Sequence, residues 1–274
     1  MNQLAHWSQQ PAPESKPAPL SAFTVHGIWT PGVMLMRGIS FKVKALIISL
    51  IFAIPIAISS VFLVNTQRQQ IAFSAAERTG VAYLKALNPV TEQLHRMQRA
   101  AVLQIASVKP QPELASAQAA LRERLADLKK AQAQWGDALK TGEALSALEQ
   151  AIQQLPQSTD RMTVPVALDQ YQRAVAASAT LMAVVLDNSN LILDPDIDSY
   201  FTMDAVGGRM PGLIDATSQI RDLAVAGSLG VALDKDGTRR EAAAEAVGDY
   251  MDAALQDGLK KVLALRPEFA RALD

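Results

Sequence analysis

The chain has 274 residues, of which 49% are hydrophobic but only 5% aromatic, a composition that belongs to long helices rather than sheets. A formal charge of -1, with no block of Lys or Arg anywhere, excludes a field able to draw nucleic acid. The absence of cysteine excludes disulfides, thiolate metal sites and a cysteine nucleophile, and is compatible with any compartment.

Residues 1–30 carry Pro11, Pro13, Pro17 and Pro19 among Ser, Gln and Ala, a composition that buries too little apolar area to offset the ordering of its backbone. This stretch reads as a disordered cytoplasmic tail. Trp29 to Arg37, WTPGVMLMR, then suits a membrane interface, so that residues 1–36 form the tail and membrane approach.

Ala45 to Val64, ALIISLIFAIPIAISSVFLV, is a 20-residue run without a charged side chain. At ~1.5 Å per residue it covers a hydrocarbon core of ~30 Å. A cleaved signal peptide has a shorter apolar core of ~7–15 residues close to the N-terminus, whereas 44 residues precede this run, so residues 37–64 are read as an uncleaved anchor. Pro55 is expected to kink it, which lipid tolerates. Arg37, Lys42 and Lys44 lie before the span and Arg68 alone follows closely, which predicts a cytoplasmic N-terminus. Residues 65–274 are then exported.

Beyond the span, apolar positions keep a helical period. Leu84, Leu87, Val90, Leu94, Met97, Ala101, Ile105 and Val108 form one stripe, with Pro89 as a possible bend. After Lys109-Pro110-Gln111-Pro112, Leu114, Leu121, Leu125, Leu128, Trp135 and Leu139 mark a second long helix. Leu145, Leu148, Ile152 and Leu155 continue that helix, with the phase moved by one residue near Gly142, until Pro156 ends it. A third helix is predicted over residues 166–190; its LMAVVL stretch, 181–186, is too short to span lipid and reads as buried. A fourth runs from about Asp194 to Ser228, with irregularities at Gly207, Gly208, Pro211 and Gly212. Residues 229–240 read as a turn, and Glu241 to Ala264 resumes helical spacing. The expectation is an all-α chain, one transmembrane helix followed by an elongated antiparallel helical bundle over 65–274.

In LILDPDIDSYFTMD, 191–204, Asp194, Asp196 and Asp198 alternate as in a calcium loop. Such a loop needs glycine at its sixth position and glutamate at its twelfth, where Ser199 and Ala205 stand instead. A helix start uses every residue: Asp194 as N-cap, Pro195 in the first position, and Asp196 and Asp198 in the first turn. Tyr200, Phe201 and Met203 then pack inward or toward a partner.

SNLILDPDIDSYFTMDAV, 189–206, resembles a sequence of the extracytoplasmic sensory regions of bacterial methyl-accepting chemotaxis proteins and of some membrane-bound sensor histidine kinases. WTPGVMLMRGISFKVKALIISLIFAIP, 29–55, and ERTGVAYLKALNPV, 77–90, are similar to the anchor and first sensory helix of the same group. The resemblance implies a dimeric inner-membrane sensory module with its bundle in the periplasm and a small-molecule ligand; the one apolar run of this sequence makes the expected anchor single-pass. Such receptors usually return through the membrane and continue into a HAMP linker and an output module. This chain stops at Asp274, so it is read as an input half truncated before a second span.

His6, His26 and His95 have no zinc-ligand spacing, and no phosphate loop or GxSxG elbow is present, so no metal, cofactor or enzymatic activity is expected. Asp234-Lys235-Asp236-Gly237 reads as a turn with glycine free to take positive φ. Arg96 and Arg99 lie one helical turn apart and, with Arg161 or Arg173 from another helix, are the candidate partners of a carboxylate ligand. The ordinary alternative is that they are solvated surface charges. At the level of the chain, the alternative is a membrane-anchored adaptor whose helices bind a periplasmic protein.

Overall fold

A computed structural model describes Gly32 and residues 36–107, 109, 111–156, 158–193, 197–232 and 234–269. The tail 1–30, Asp194, Pro195 and Asp196 lie outside the described residues, as do His6, His26 and Val108. The chain divides into two compact units, Met1–Thr66 and Gln67–Asp274. No strand occurs among the described residues, and the fold is all-α.

The first unit carries the start of helix α1, Phe41–Ser107, which is unbroken through both Pro55 and Pro89. Its residues from Ala45 to Val64 carry no charged side chain, and large apolar residues such as Leu46, Phe52, Ile56 and Phe62 are exposed. Among the described residues one helix is therefore long and apolar enough to cross a membrane, with none of its apolar window buried in protein.

The second unit holds the rest of α1 together with α2 Pro112–Leu139, α3 Gly142–Gln153, α4 Val164–Asn188, α5 Ile197–Asp204, α6 Met210–Ser228 and α7 Lys235–Leu265. Proline sits in the first turn of α2, α4 and α6, where its missing N–H has no partner to lose. The predicted stripe on α1 is its buried face, with Leu84, Leu87, Val90, Leu94, Met97 and Ala101 each at most 7% exposed. Side-chain contacts fix the direction of packing. Along α1 from Tyr83 to Gln104, the partners retreat from Gln132 of α2 to Gln111 at its N-cap. Along α1 from Gly80 to Gln98, those on α4 retreat from Ser189 to Gln172. Both neighbours are antiparallel to α1. LMAVVL is buried as expected, through Leu181, Met182, Val185 and Leu186.

Several boundaries differ from the sequence reading. The second helix is two helices rather than one with a phase shift. Lys140 takes a left-handed conformation at φ 51°, and the buried Thr141 hydroxyl donates to the side-chain carbonyl of Gln132 (Oε1) at 2.7 Å, ending α2 and turning the chain into α3. That same carbonyl accepts from Tyr83 Oη at 2.7 Å, which ties the break to α1. The third helix ends at Asn188, and Asn190 follows with φ 63°. The fourth is α5 and α6 joined by a π-helical segment, Ala205–Arg209, which holds the expected irregularity at Gly207 and Gly208. A Cβ on Gly207 would approach Leu186 of α4 to 2.8 Å, so glycine lets the wide turn sit against α4.

Asp234 is no turn residue: it caps α7, accepting from the Gly237 backbone N–H at 2.7 Å, so that helix begins at Lys235 rather than at 241. Helix α7 returns along α5 and α6. Small residues let the backbones approach, with Gly248 beside Ala216 and Gly258 beside Phe201. Met203 packs against the core, whereas Tyr200 is 40% exposed.

Candidate functional site

The face of α1 opposite the apolar stripe, Lys85, Asn88, Glu92, Arg96 and Arg99, recurs every three or four residues and is exposed. It forms one wall of an open groove of about 1460 Å³, whose other walls come from α2 and from the π segment with α6. Glu113 and Arg124 contribute from α2, and Ser218 and Arg221 from α6. The groove is thus lined by five cations, Lys85, Arg96, Arg99, Arg124 and Arg221, against two carboxylates, Glu92 and Glu113, together with apolar residues such as Met182 and Val206.

The cations are differently engaged. Arg96 pairs with Glu92 one turn back, Arg124 stands 3.8 Å from Asp127, and Arg221 holds Asp222 at 2.8 and 2.9 Å. Among the described residues, Lys85 and Arg99 have no carboxylate within ion-pair distance. Guanidinium forks on separate helices suit a carboxylate, which they can grip through paired N–H donors.

Beneath the groove lies a polar layer inside the bundle. Gln98 is fully buried and donates to Asp222, itself 1% exposed, at 2.9 Å. Gln172 of α4 donates to both Gln98 at 3.2 Å and Asp215 of α6 at 2.9 Å, and Gln219 donates to Asp215 at 3.2 Å. Three helices, α1, α4 and α6, are thus tied at one level. Burial raises the Asp222 carboxyl above its ordinary value, against the opposing hydrogen bonds from Gln98 and Arg221. His95, also buried, lines the groove, and its Nδ1 has no hydrogen-bond partner among the described residues. Burial holds its imidazole below the ordinary value, while Asp215 and Asp222 pull it up and Arg221 pushes it down.

Of the sequence candidates, the structure brings together Arg96 and Arg99. It leaves Arg173 exposed on α4 away from the groove, and Arg161 in an exposed turn at φ 59°. Neither lines the groove: Arg173 is on an exposed face of α4, and Arg161 precedes that helix. Sequence reasoning missed His95, Gln98, Arg124, Asp215, Arg221 and Asp222. A signal for two of them was present: Gln98 interrupts the apolar stripe between Leu94 and Ala101, and Asp222 stands one turn from both Ser218 and Ala226 on the buried face of α6.

Two stretches that carry the family resemblance, 77–90 and 189–206, meet in the fold: a Cβ on Gly80 would fall 2.3 Å from Ser189 Oγ and 2.8 Å from a Leu191 methyl. No group of three or more potential metal ligands occurs among the described residues. Comparison with protein-family models, with curated proteins and with solved structures returned no match.

Proposed function

We propose that the chain is the membrane-anchored extracytoplasmic sensory module of a chemoreceptor-like signal transducer, and that the groove between α1, α2 and α6 is its ligand site. The observation that carries this reading is the placement of a cation-rich groove directly over a buried polar layer that joins α1 to α4 and α6. A small organic carboxylate bridging Arg99 to Arg124 or Arg221 would favour one spacing of these helices over another. A ligand can shift packing only by such a difference in affinity between two arrangements. The shift would travel along α1, the helix that also carries the apolar segment. The remaining parts of the reading are a bacterial inner membrane, a cytoplasmic N-terminus, a periplasmic bundle and a homodimer.

The test is thermal unfolding of the full chain in lipid nanodiscs against a panel of mono- and dicarboxylates. A ligand at a hundred times its Kd stabilises the folded state by about 2.7 kcal/mol, and Arg99→Ala together with Arg124→Ala should abolish that shift. Dimerisation is read separately, by disulfide formation between cysteines placed one at a time along residues 84–105. If no carboxylate stabilises the chain while a protein co-purifies in fixed proportion, the adaptor reading replaces this one.

A further inference from the structure

We propose that anion binding in the groove is coupled to uptake of a proton by His95, which makes the groove a proton-linked anion site; this rests on the groove being a ligand site. The geometry supplies the parts. His95 is 8% exposed, borders the groove and has an Nδ1 with no hydrogen-bond partner among the described residues. A neutral ring tolerates this poorly satisfied position, whereas an imidazolium would need an acceptor there.

The charged groups around it are placed unevenly. From α6 come Asp215, Asp222 and Arg221; from α1 itself come Glu92, Arg96 and Arg99; from α2, across the groove, come Glu113 and Arg124. Helix α4 contributes the uncharged Gln172 to the layer, Met182 and Val206 are among the uncharged lining residues, and Lys85 is the remaining cation of the groove. Burial and Arg221 keep the proton off the ring, while Asp215 and Asp222 favour it.

Arg221 is the hinge of the argument, because it both borders the groove and holds Asp222. An anion seated against Arg221 and Arg99 places negative charge beside the imidazole. It also draws the guanidinium toward itself, which frees Asp222 to act as a counter-charge. Both changes favour the imidazolium. One proton passes from solvent to the ring nitrogen, and no other covalent bond forms or breaks.

The experiment is isothermal titration of the full chain in nanodiscs with fumarate and with sulfate, dianions that stay ionised across the range, at pH about 6 to about 7.5. Each titration is run in two buffers of different ionisation heat. The expected result is net uptake of up to about one proton per anion, with affinity rising by up to about tenfold for each pH unit lowered. In His95→Gln the uptake should vanish. In Arg221→Gln, which removes the cation opposing the proton, imidazole protonation followed by NMR in the unliganded chain should move to higher pH.

Binding without proton uptake, uptake that persists in His95→Gln, or no movement in Arg221→Gln would each overturn the linkage while leaving the groove as a ligand site. If His95→Gln does not fold, the wild-type proton count and the Arg221→Gln titration decide. Failure of both dianions to bind at any pH would remove the ligand site, and the linkage with it.

Discussion

Gly80 shows how much one missing carbon decides. Its Cβ would stand 2.3 Å from Ser189 Oγ and 2.4 Å from Ser189 Cβ, closer than packed atoms approach, and Ser189 is fully buried with nowhere to move. Gly80→Ala gains up to ~1 kcal/mol of helix propensity, but overpacking of this kind costs about 1–3 kcal/mol. The net expectation is destabilisation, read as a Tm lower by a few degrees and relieved in the double variant with Ser189→Gly. Gly248 provides the opposite case, since its Cβ would meet Ala216 at an ordinary 3.7 Å. Gly248→Ala should therefore raise Tm, keeping most of the ~1 kcal/mol of propensity. Charge at single residues has an equally definite sign. His95 is held below 6.5 in the folded chain, so the unfolded chain takes up the proton first and stability is lost as pH falls through 6.5. Asp222 is held above 3.8, so the folded chain protonates first and stability is regained as pH falls through its folded value, levelling off below 3.8. Urea unfolding at a series of pH values should show the first loss flattened in His95→Gln and the second gain flattened in Asp222→Asn. An unchanged profile in both variants would mean that other groups dominate the pH dependence.

Between helices, the polar layer sets a register that apolar stripes leave loose. A stripe of Leu and Val can slide by a turn and still bury its side chains, but Gln98 meets both Asp222 and Gln172 only at one level. Gln98→Leu would leave the buried Asp222 carboxylate short of a donor, a loss of about 1–3 kcal/mol. Arg96→Ala removes only an exposed pair with Glu92 and should change stability by no more than about 0.5 kcal/mol. Chemical denaturation of both variants checks the contrast, and equal effects would refute the role given to the layer. The stripes themselves were legible in the sequence, because burial along one helix is a local matter of spacing three and four. The break between α2 and α3 was not. Spacing arithmetic turns an inserted non-helical residue into a phase shift, and what stops α2 is Thr141 bonding to Gln132 while Gln132 also holds Tyr83 of another helix. Asp-Lys-Asp-Gly was misread for a related reason: Asp and Gly serve turns and helix starts alike, and only the helix continuing from Lys235 tells them apart. Of the groove, the sequence showed Arg96 and Arg99 sharing a face of α1. It carried no sign that Arg124 and Arg221 would stand across from them, because which helices become neighbours is settled by the packing of the whole bundle.

For the whole chain, the governing asymmetry is between a segment that is apolar on every side and a bundle that buries its own apolar residues. From Ala45 to Val64 nearly all the large side chains are exposed, Phe52 at 66% and Phe62 at 73%, which water would penalise along the entire length. In lipid the same residues are satisfied, and each backbone group is bonded within the helix. Lys and Arg resist transfer across the membrane, so Arg37, Lys42 and Lys44 ahead of the segment should hold the N-terminus inside, against Arg68 alone close behind it. Protease added to cells stripped of their outer envelope should then digest residues 67–274 and spare the N-terminal tail. The charges themselves can be tested by changing Arg37, Lys42 and Lys44 to Gln while changing Asn65, Thr66 and Gln67 to Lys. That exchange reverses the bias without altering the apolar run, and it should protect part of the bundle from the protease. Full digestion of both versions would show that the bundle is exported regardless of these cations, since long exported domains can override local charge. Full protection of the unaltered chain would place the bundle, and its groove, on the cytoplasmic side, where an extracytoplasmic ligand never reaches it.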